Sequence, residues 1–369
     1  MNQSTLESKS APVKDGVGQL SAQNLSCPVC AAEVDATFRL LTTNPDSEVL
    51  SVADNPFAEL EFNGCRQCGF GWGTPYVDSE SLAKFYRDMY YQKVKRRRSD
   101  PNPKFPPFVP LESRSVSQVL LARMFKSFRA GDSVLEIGPG HGRSFRTLSQ
   151  LIPGLKYFAF EPDSTFSELL QRFLNVQVFP YRFPSEPVVS AMVEGRKFDL
   201  VLMSHVLEHF NGKDVGAVLQ NVHDLLADGG ILVCEVPHSD WREGEEAVGN
   251  DITHLSFFGR ESLRTALIKA GFKVEFLNTC SEDYETWRNE LSSAASETPG
   301  RANSSPIAWG RRIAEALPTS LQRRLLPRLY SLMNPNQSVR LLSSHDFDYG
   351  GDRTCLRALA TIAEASPTQ

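Results

Sequence analysis

Apolar residues follow two rhythms along this chain, and each marks one kind of element. Short, nearly continuous runs read as strands buried on both faces: Val134 to Ile137, Lys156 to Phe160, Val176 to Phe179, the run that starts at Phe198, Ile231 to Val236, and Lys273 to Leu277. Between them, apolar positions three and four apart predict helices over Ser144 to Leu151, Val215 to Leu226 and Gly259 to Ala270, the last closed by Gly271 as a left-handed cap. Strands that alternate with helices imply a parallel sheet with helices on both faces. A helix from about Ser113 to Phe128 leads into the first of these strands. Further upstream, Leu82, Phe85, Tyr86 and Met89 lie at helical spacing between Ser79 and Lys95, after a cap at Asp78 or Ser79. Near the C-terminus Leu356, Ala358, Ala360 and Ile362 alternate with their neighbours, so Cys355 to Ile362 reads as a strand.

The first parallel strand runs into a glycine turn, Glu136-Ile137-Gly138-Pro139-Gly140-His141-Gly142-Arg143. Glycines at 138, 140 and 142 let the backbone turn tightly and let a ligand approach without meeting a Cβ. The helix start beyond them offers free N–H groups. A dinucleotide fingerprint would need Gly at 143, and the chain has Arg. Glu136, inside the strand, is placed for a ligand that carries an amino group. Glu161 ends the second strand, where an acid can accept both hydroxyls of a ribose, with Asp163 as the reserve and the better helix cap.

Before this core stand two C-x-x-C knuckles, Cys27/Cys30 and Cys65/Cys68, the second followed by Gly69. Paired knuckles present four thiolates to one tetrahedral zinc, a coordinatively full and therefore structural site. Seven cysteines without a signal peptide argue for reduced thiols and a cytoplasmic setting. At 369 residues, 41% hydrophobic and 22% charged, the chain can hold one large core and a small accessory module. A net charge of −5 weighs against a nucleic-acid substrate, and the basic run Lys93 to Arg98 reads as a solvated flank of the proline-rich linker Pro101 to Pro107. Residues 1–26 are polar and expected to be disordered, and no stretch approaches the length of a membrane span.

The glycine segment resembles motif I of the class I S-adenosylmethionine (SAM) methyltransferases, E-x-G-x-G-x-G. Phe198-Asp199-Leu200-Val201 through Val206-Leu207-Glu208-His209, and the Gly229-Gly230 turn into the strand ending near Pro237, resemble the same family. The resemblance implies a Rossmann-like seven-stranded sheet and a SAM cofactor held by Glu136, Gly138, Gly140, Gly142, Glu161, Pro162, Ser204 and His205. It also implies a closing antiparallel hairpin, which makes residues 281–352 an insertion before the last strand. That insertion is expected to be mostly helical, broken at Pro318 and Pro327, and to serve as a cap or a homodimer surface. The domains would then be a disordered tail (1–26), a zinc ribbon (27–78), a helical linker (79–128), the methyltransferase core (129–280), the insertion (281–352) and the final strand with its tail (353–369).

Methyl transfer to a hydroxyl needs a proton acceptor, and imidazole suits that role near neutral pH. His254 is the first candidate, with His238 and His205 behind it, while His209 in the Leu-Glu-His run is read as a structural brace. Zinc knuckles followed by a tyrosine-rich helix and this core resemble the bacterial deoxysugar C-methyltransferases. In those enzymes the loop after the fifth strand carries Tyr-His-Glu-His. Here Asp251-Ile252-Thr253-His254 keeps only the last His, which favours an O-methyl acceptor on a sugar or glycan precursor, and the ubiquinone-pathway O-methyltransferases place a His and a Phe in this loop too. The rivals are methylation of a lipid or quinone-like phenol, and a non-catalytic zinc-ribbon module that binds nucleic acid or protein.

Overall fold

A computed structural model of the chain describes residues 26–33, 56–57, 60–90, 113–184, 188–240, 242, 253–280 and 355–363. The N-terminal tail, the basic run, the proline-rich linker and the expected insertion at 281–352 lie outside these residues. In chain order the elements are β1 (Glu61–Gly64), β2 (Gly71–Thr74), α1 (Ser79–Asp88), α2 (Ser113–Phe125), β3 (Ser133–Ile137), α3 (Arg143–Leu151) and β4 (Lys156–Phe160). Next come α4 (Ser164–Leu174), β5 (Gln177–Phe179), α5 (Val189–Met192), β6 (Phe198–Ser204), α6 (Val215–Leu225) and β7 (Leu226–Pro237). The last are β8 (Ser256–Phe257), α7 (Arg260–Lys269), β9 (Phe272–Cys280) and β10 (Cys355–Ile362).

Seven strands form the main sheet in the order β5-β4-β3-β6-β7-β10-β9. The first five run parallel, and β10 pairs antiparallel with both β7 and β9. This is the Rossmann-like seven-stranded sheet that the resemblance implies. Alternate residues of each strand feed two cores. Leu135, Ile137, Val201, Met203, Leu232 and Cys234 pack towards α6 and α7. Val134, Leu200, Leu202, Ile231 and Val233 pack towards α2 and α3. The alternation read in β10 holds, since Leu356, Ala358 and Ala360 join the first core and Leu359 the second.

Two boundaries differ from expectation. Residues 227–230 are a bulge inside β7 rather than a turn before it: Leu226 already pairs with Phe198, and the register shifts before Leu200 meets Ile231. Gly229 takes φ +67°, and a Cβ on Gly230 would lie 2.7 Å from the Phe198 carbonyl oxygen, so the bulge needs its glycines. α1 is described only to Asp88, with Asp78 as its cap accepting from the Ser81 N–H at 2.8 Å.

The second knuckle is the tip of the β1–β2 hairpin, since Cys65 and Cys68 fall between the two strands. A third strand joins this small sheet from far along the chain: β8 pairs with β2, Gly71 opposite Phe257 and Trp72 opposite Ser256. Trp72 and Phe70, both fully buried, stack with ring centroids 5.9 Å apart and pack with the cysteines into the first core. Among the described residues no helix is long and apolar enough to cross a membrane.

Candidate active site

The carboxyl ends of β3, β4 and β6 open into a cavity of about 480 Å³, the place where a parallel open sheet puts its ligand. Glu136, Gly138, Gly140, Glu161, Pro162, Ser204 and His205 line it, as expected. Gly138, Gly140 and Gly142 have φ of +65°, +51° and +67°, a region open to glycine at little cost. Their surroundings separate their roles. A Cβ on Gly142 would sit 2.5 Å from Leu170 Cδ2, and Gly142 is not part of the cavity wall, so it serves helix packing. A Cβ on Gly140 would meet nothing within 4 Å, so this glycine leaves the cavity open where a ligand must approach the backbone.

Glu136 is buried, and among the described residues its Oε2 has no hydrogen-bond partner. Burial pushes its carboxyl up to about 8, against the Ser144 hydrogen bond and with help from nearby Glu161. Glu161 accepts from the Gly140 N–H and the Asp163 N–H, both at 2.9 Å, and thereby ties the glycine turn to the start of α4. Burial raises it to about 7. Asp163 caps α4, accepting from Thr165 and Phe166. A buried carboxylate oxygen without a donor, an open glycine backbone and a second acid 21 residues further on fit a cofactor with an ammonium group and a ribose.

These shifts set a pH dependence. A cationic ligand needs the carboxylates ionised, so binding below their raised pKa values must expel a proton. S-adenosylhomocysteine affinity, followed by calorimetry from pH 6 to pH 8, is expected to rise with pH, by about tenfold per unit below 7 if one proton is expelled. In the free protein the sign is opposite. Both pKa values exceed those of the unfolded chain, so the folded state holds more protons between about pH 4.5 and 8, and these two groups lower stability as pH rises through that window. A flat affinity profile would refute the burial of an ionisable pair at this site.

At the exit of β6 the chain turns sharply. His205 takes φ +54°, unusual for a residue with a Cβ, and is followed by a 3-10 turn, Leu207–His209. Its Nδ1 lies 3.5 Å from Glu208 Oε1 and its Nε2 3.4 Å from Glu235 Oε1. Burial works against its charge, but Cys355, Glu208 and Glu235 more than offset this and hold its pKa well above the ordinary value. The charged form of His205 is thus favoured, which suits it poorly to the role of base. Glu235 is itself locked by Arg357, whose Nε and one terminal nitrogen each approach Oε2 to 2.6 Å.

His254 does not line the cavity; its Nε2 lies 4.0 Å from Glu208 Oε1 and its ring 5.1 Å from that of His209. His238 bridges to Phe258 and also lies outside the cavity wall. His209, read from sequence as a brace, does line it. Its Nδ1 donates to the Thr253 carbonyl at 3.0 Å, since a carbonyl can only accept, and this fixes the tautomer with the lone pair on Nε2. Tyr86 and Tyr90 of the tyrosine-rich segment stand against His209 at 5.6 and 6.3 Å between ring centroids. Arg182 covers the Phe210 ring at 4.1 Å and donates to the His209 carbonyl. Arg182 and Phe183 line the cavity, while Tyr181 is exposed.

The four cysteines converge as their spacing implied. Cys27 Sγ lies 3.7 Å from Cys68 Sγ and Cys30 Sγ 3.5 Å from Cys65 Sγ, and all four sulfurs fall within 4.8 Å of one another. A tetrahedron with metal–sulfur bonds of about 2.3 Å has edges of about 3.8 Å, so the set fits a tetrahedral cation.

Residues 113–276 match the family model described as a methyltransferase domain. No curated protein matches the chain. Among solved structures, the plantazolicin methyltransferase BamL, crystallised with a triazolic analogue and S-adenosylhomocysteine, is 13% identical, with 76% of this chain and 94% of that one covered and a TM-score of 0.45. A SAM-dependent methyltransferase from Archaeoglobus fulgidus is 17% identical, with 74% and 99% covered and a TM-score of 0.38. Residues 113–276 thus carry a methyltransferase domain, and the cavity at its sheet edge suits S-adenosylmethionine.

Proposed function

We propose that the acceptor is a hydroxyl of a small molecule, a sugar or glycan precursor. One observation carries this reading. Beside the cavity wall formed by His205 and His209, these two residues and His254 surround Glu208, which is 1% exposed. A hydroxyl must shed its proton as its oxygen is methylated, and His209, which lines the cavity and whose Nδ1 contact leaves the Nε2 lone pair available, can take it. Bound SAM supplies an electrophilic methyl, with sulfur keeping the electron pair as the new oxygen–carbon bond forms. Thr253, fully buried, stands where a carbon-deprotonating acid would be needed, which supports oxygen over carbon. Tyr86 and Tyr90 offer aromatic faces to the C–H side of a sugar ring, and Arg182 is placed beside its hydroxyls.

We infer further that the cysteines hold structural zinc, supported by sulfur separations that suit a tetrahedral site. A thiol cluster this tight cannot ionise fully without a cation, and its members already diverge: Cys68 beside it lowers the Cys27 thiol, while Cys68 itself is pushed up, by Cys27 first and burial second.

The test is a panel of nucleotide sugars, free glycans and simple phenols, each incubated with SAM and the zinc-loaded enzyme and read by mass spectrometry. A methylated sugar, with the methyl placed on oxygen by fragmentation, is the expected outcome. Methylated phenols with untouched sugars would replace the acceptor class.

A further inference from the structure

We propose that Glu208, His209 and His254 form a binding site for a divalent transition-metal cation, separate from the four cysteines. A carboxylate oxygen of Glu208 and one ring nitrogen of each histidine lie within 4.8 Å of one another. Ligands on one cation at about 2.1 Å stand between about 3 and 4.3 Å apart, so small side-chain movements close the set. The 4.0 Å between Glu208 Oε1 and His254 Nε2 already falls in that range.

Two independent features point to a missing ligand. Glu208 is 1% exposed, yet among the described residues neither carboxylate oxygen has a hydrogen-bond partner, a costly arrangement for a buried acid. The nearby His205 ring, at 3.5 Å, reaches only Oε1. Second, the Thr253 carbonyl takes the Nδ1–H of His209, the outer-shell contact that orients a metal-binding imidazole and leaves its Nε2 lone pair available. Thr253 and His254 are adjacent, so one loop supplies both a ligand and the support of another.

Two imidazoles and one carboxylate suit Mn2+, Fe2+, Co2+ or Zn2+ rather than a cation that wants oxygen alone. The purpose assigned to the cation rests on the hydroxyl reading above: it would stand beside His209, at the acceptor end of the cavity, and make a hydroxyl there more acidic.

Electron paramagnetic resonance of Mn2+ titrated into zinc-loaded protein tests the site without any acceptor. Mn2+ is hard and ranks below zinc for thiolates, so it does not report on the cysteines. The expected result is one bound Mn2+ per chain, with nitrogen modulation from coordinated imidazole in the spin echo. Affinity should fall more than about tenfold in Glu208→Gln and in His254→Ala. Absence of bound Mn2+ in wild type, or equal binding in both variants, would overturn the site. Bound Mn2+ together with no methylated hydroxyl in the acceptor panel would instead overturn the acceptor reading and keep the metal site.

Discussion

Glu161→Ala is expected to bind S-adenosylhomocysteine about 100-fold more weakly than wild type in calorimetric titration, with its circular dichroism unchanged. The size follows from two losses. The proposed contacts to ribose hydroxyls are hydrogen bonds to a charged group, worth about 1.5–3 kcal/mol each. The same carboxylate also receives the Gly140 and Asp163 N–H groups, so its removal frees the glycine turn that the ligand must lie against. The turn keeps its backbone bonds, Gly138 N–H to the Phe160 carbonyl and Gly142 N–H to the Pro139 carbonyl at 2.9 Å each, so the loosening is centred on Gly140. Affinity within about threefold of wild type would place the cofactor elsewhere. Gly142→Ala would make an informative companion, since its Cβ collides with Leu170 rather than with the cavity and should lower stability more than affinity.

How far this site could be read from sequence depends on how local its parts are. Strands β3, β4 and β6, the glycine turn and the acids at 136 and 161 come from one continuous stretch, in which hydrophobic rhythm and glycine spacing already imply their geometry. The cysteine knuckles carry their own geometry in the C-x-x-C spacing. β10 was legible from four alternating residues. What escaped depends on segments that meet only in the folded chain. Nothing in Ser256-Phe257 announces that this pair will complete a sheet with Gly71 and Trp72. Glu208 looks like one acid in a family motif until three imidazoles and complete burial surround it. His209, which reads as a brace from its place in the Leu-Glu-His run, also stands on the cavity wall. Its role as part of the cavity wall follows from Tyr86, Tyr90 and Thr253, which reach it from 44 residues or more away. The bulge at 227–230 was hidden for a different reason, since Asp-Gly-Gly has the chemistry of a turn and only strand pairing on both sides reveals it as part of β7.

Stripping the proposed zinc, by chelation or by Cys68→Ser, is expected to abolish methyl transfer and lower the melting temperature by about 10 °C or more, while S-adenosylhomocysteine affinity changes by less than about threefold. The asymmetry follows from what each site is built on. The cofactor end is formed by β3, β4 and the start of α3, whose hydrogen bonds do not involve the cysteine module. The acceptor end depends on it directly. β2 leaves the second knuckle and pairs with β8, the Gly73 N–H donates to the Leu255 carbonyl at 2.9 Å, and the Leu255 N–H donates to the Glu208 carbonyl at 2.8 Å. Thr253 and His254 immediately precede Leu255, so loosening the ribbon loosens the loop that holds the histidine cluster together. A second tie runs through Arg242, which pairs with buried Asp240 at 2.6 Å and donates to the Gln67 carbonyl between the two cysteines of the second knuckle. Trp72 supplies a readout independent of turnover: fully buried beside Phe70, it should shift its emission to longer wavelength when the metal leaves, and a Trp72→Phe variant identifies the source of that shift. Zinc-free protein that keeps its melting temperature and its turnover would make the ribbon an appendage. Loss of cofactor affinity in step with turnover would mean instead that the two ends of the cavity are held by one scaffold, with the ribbon as its keystone.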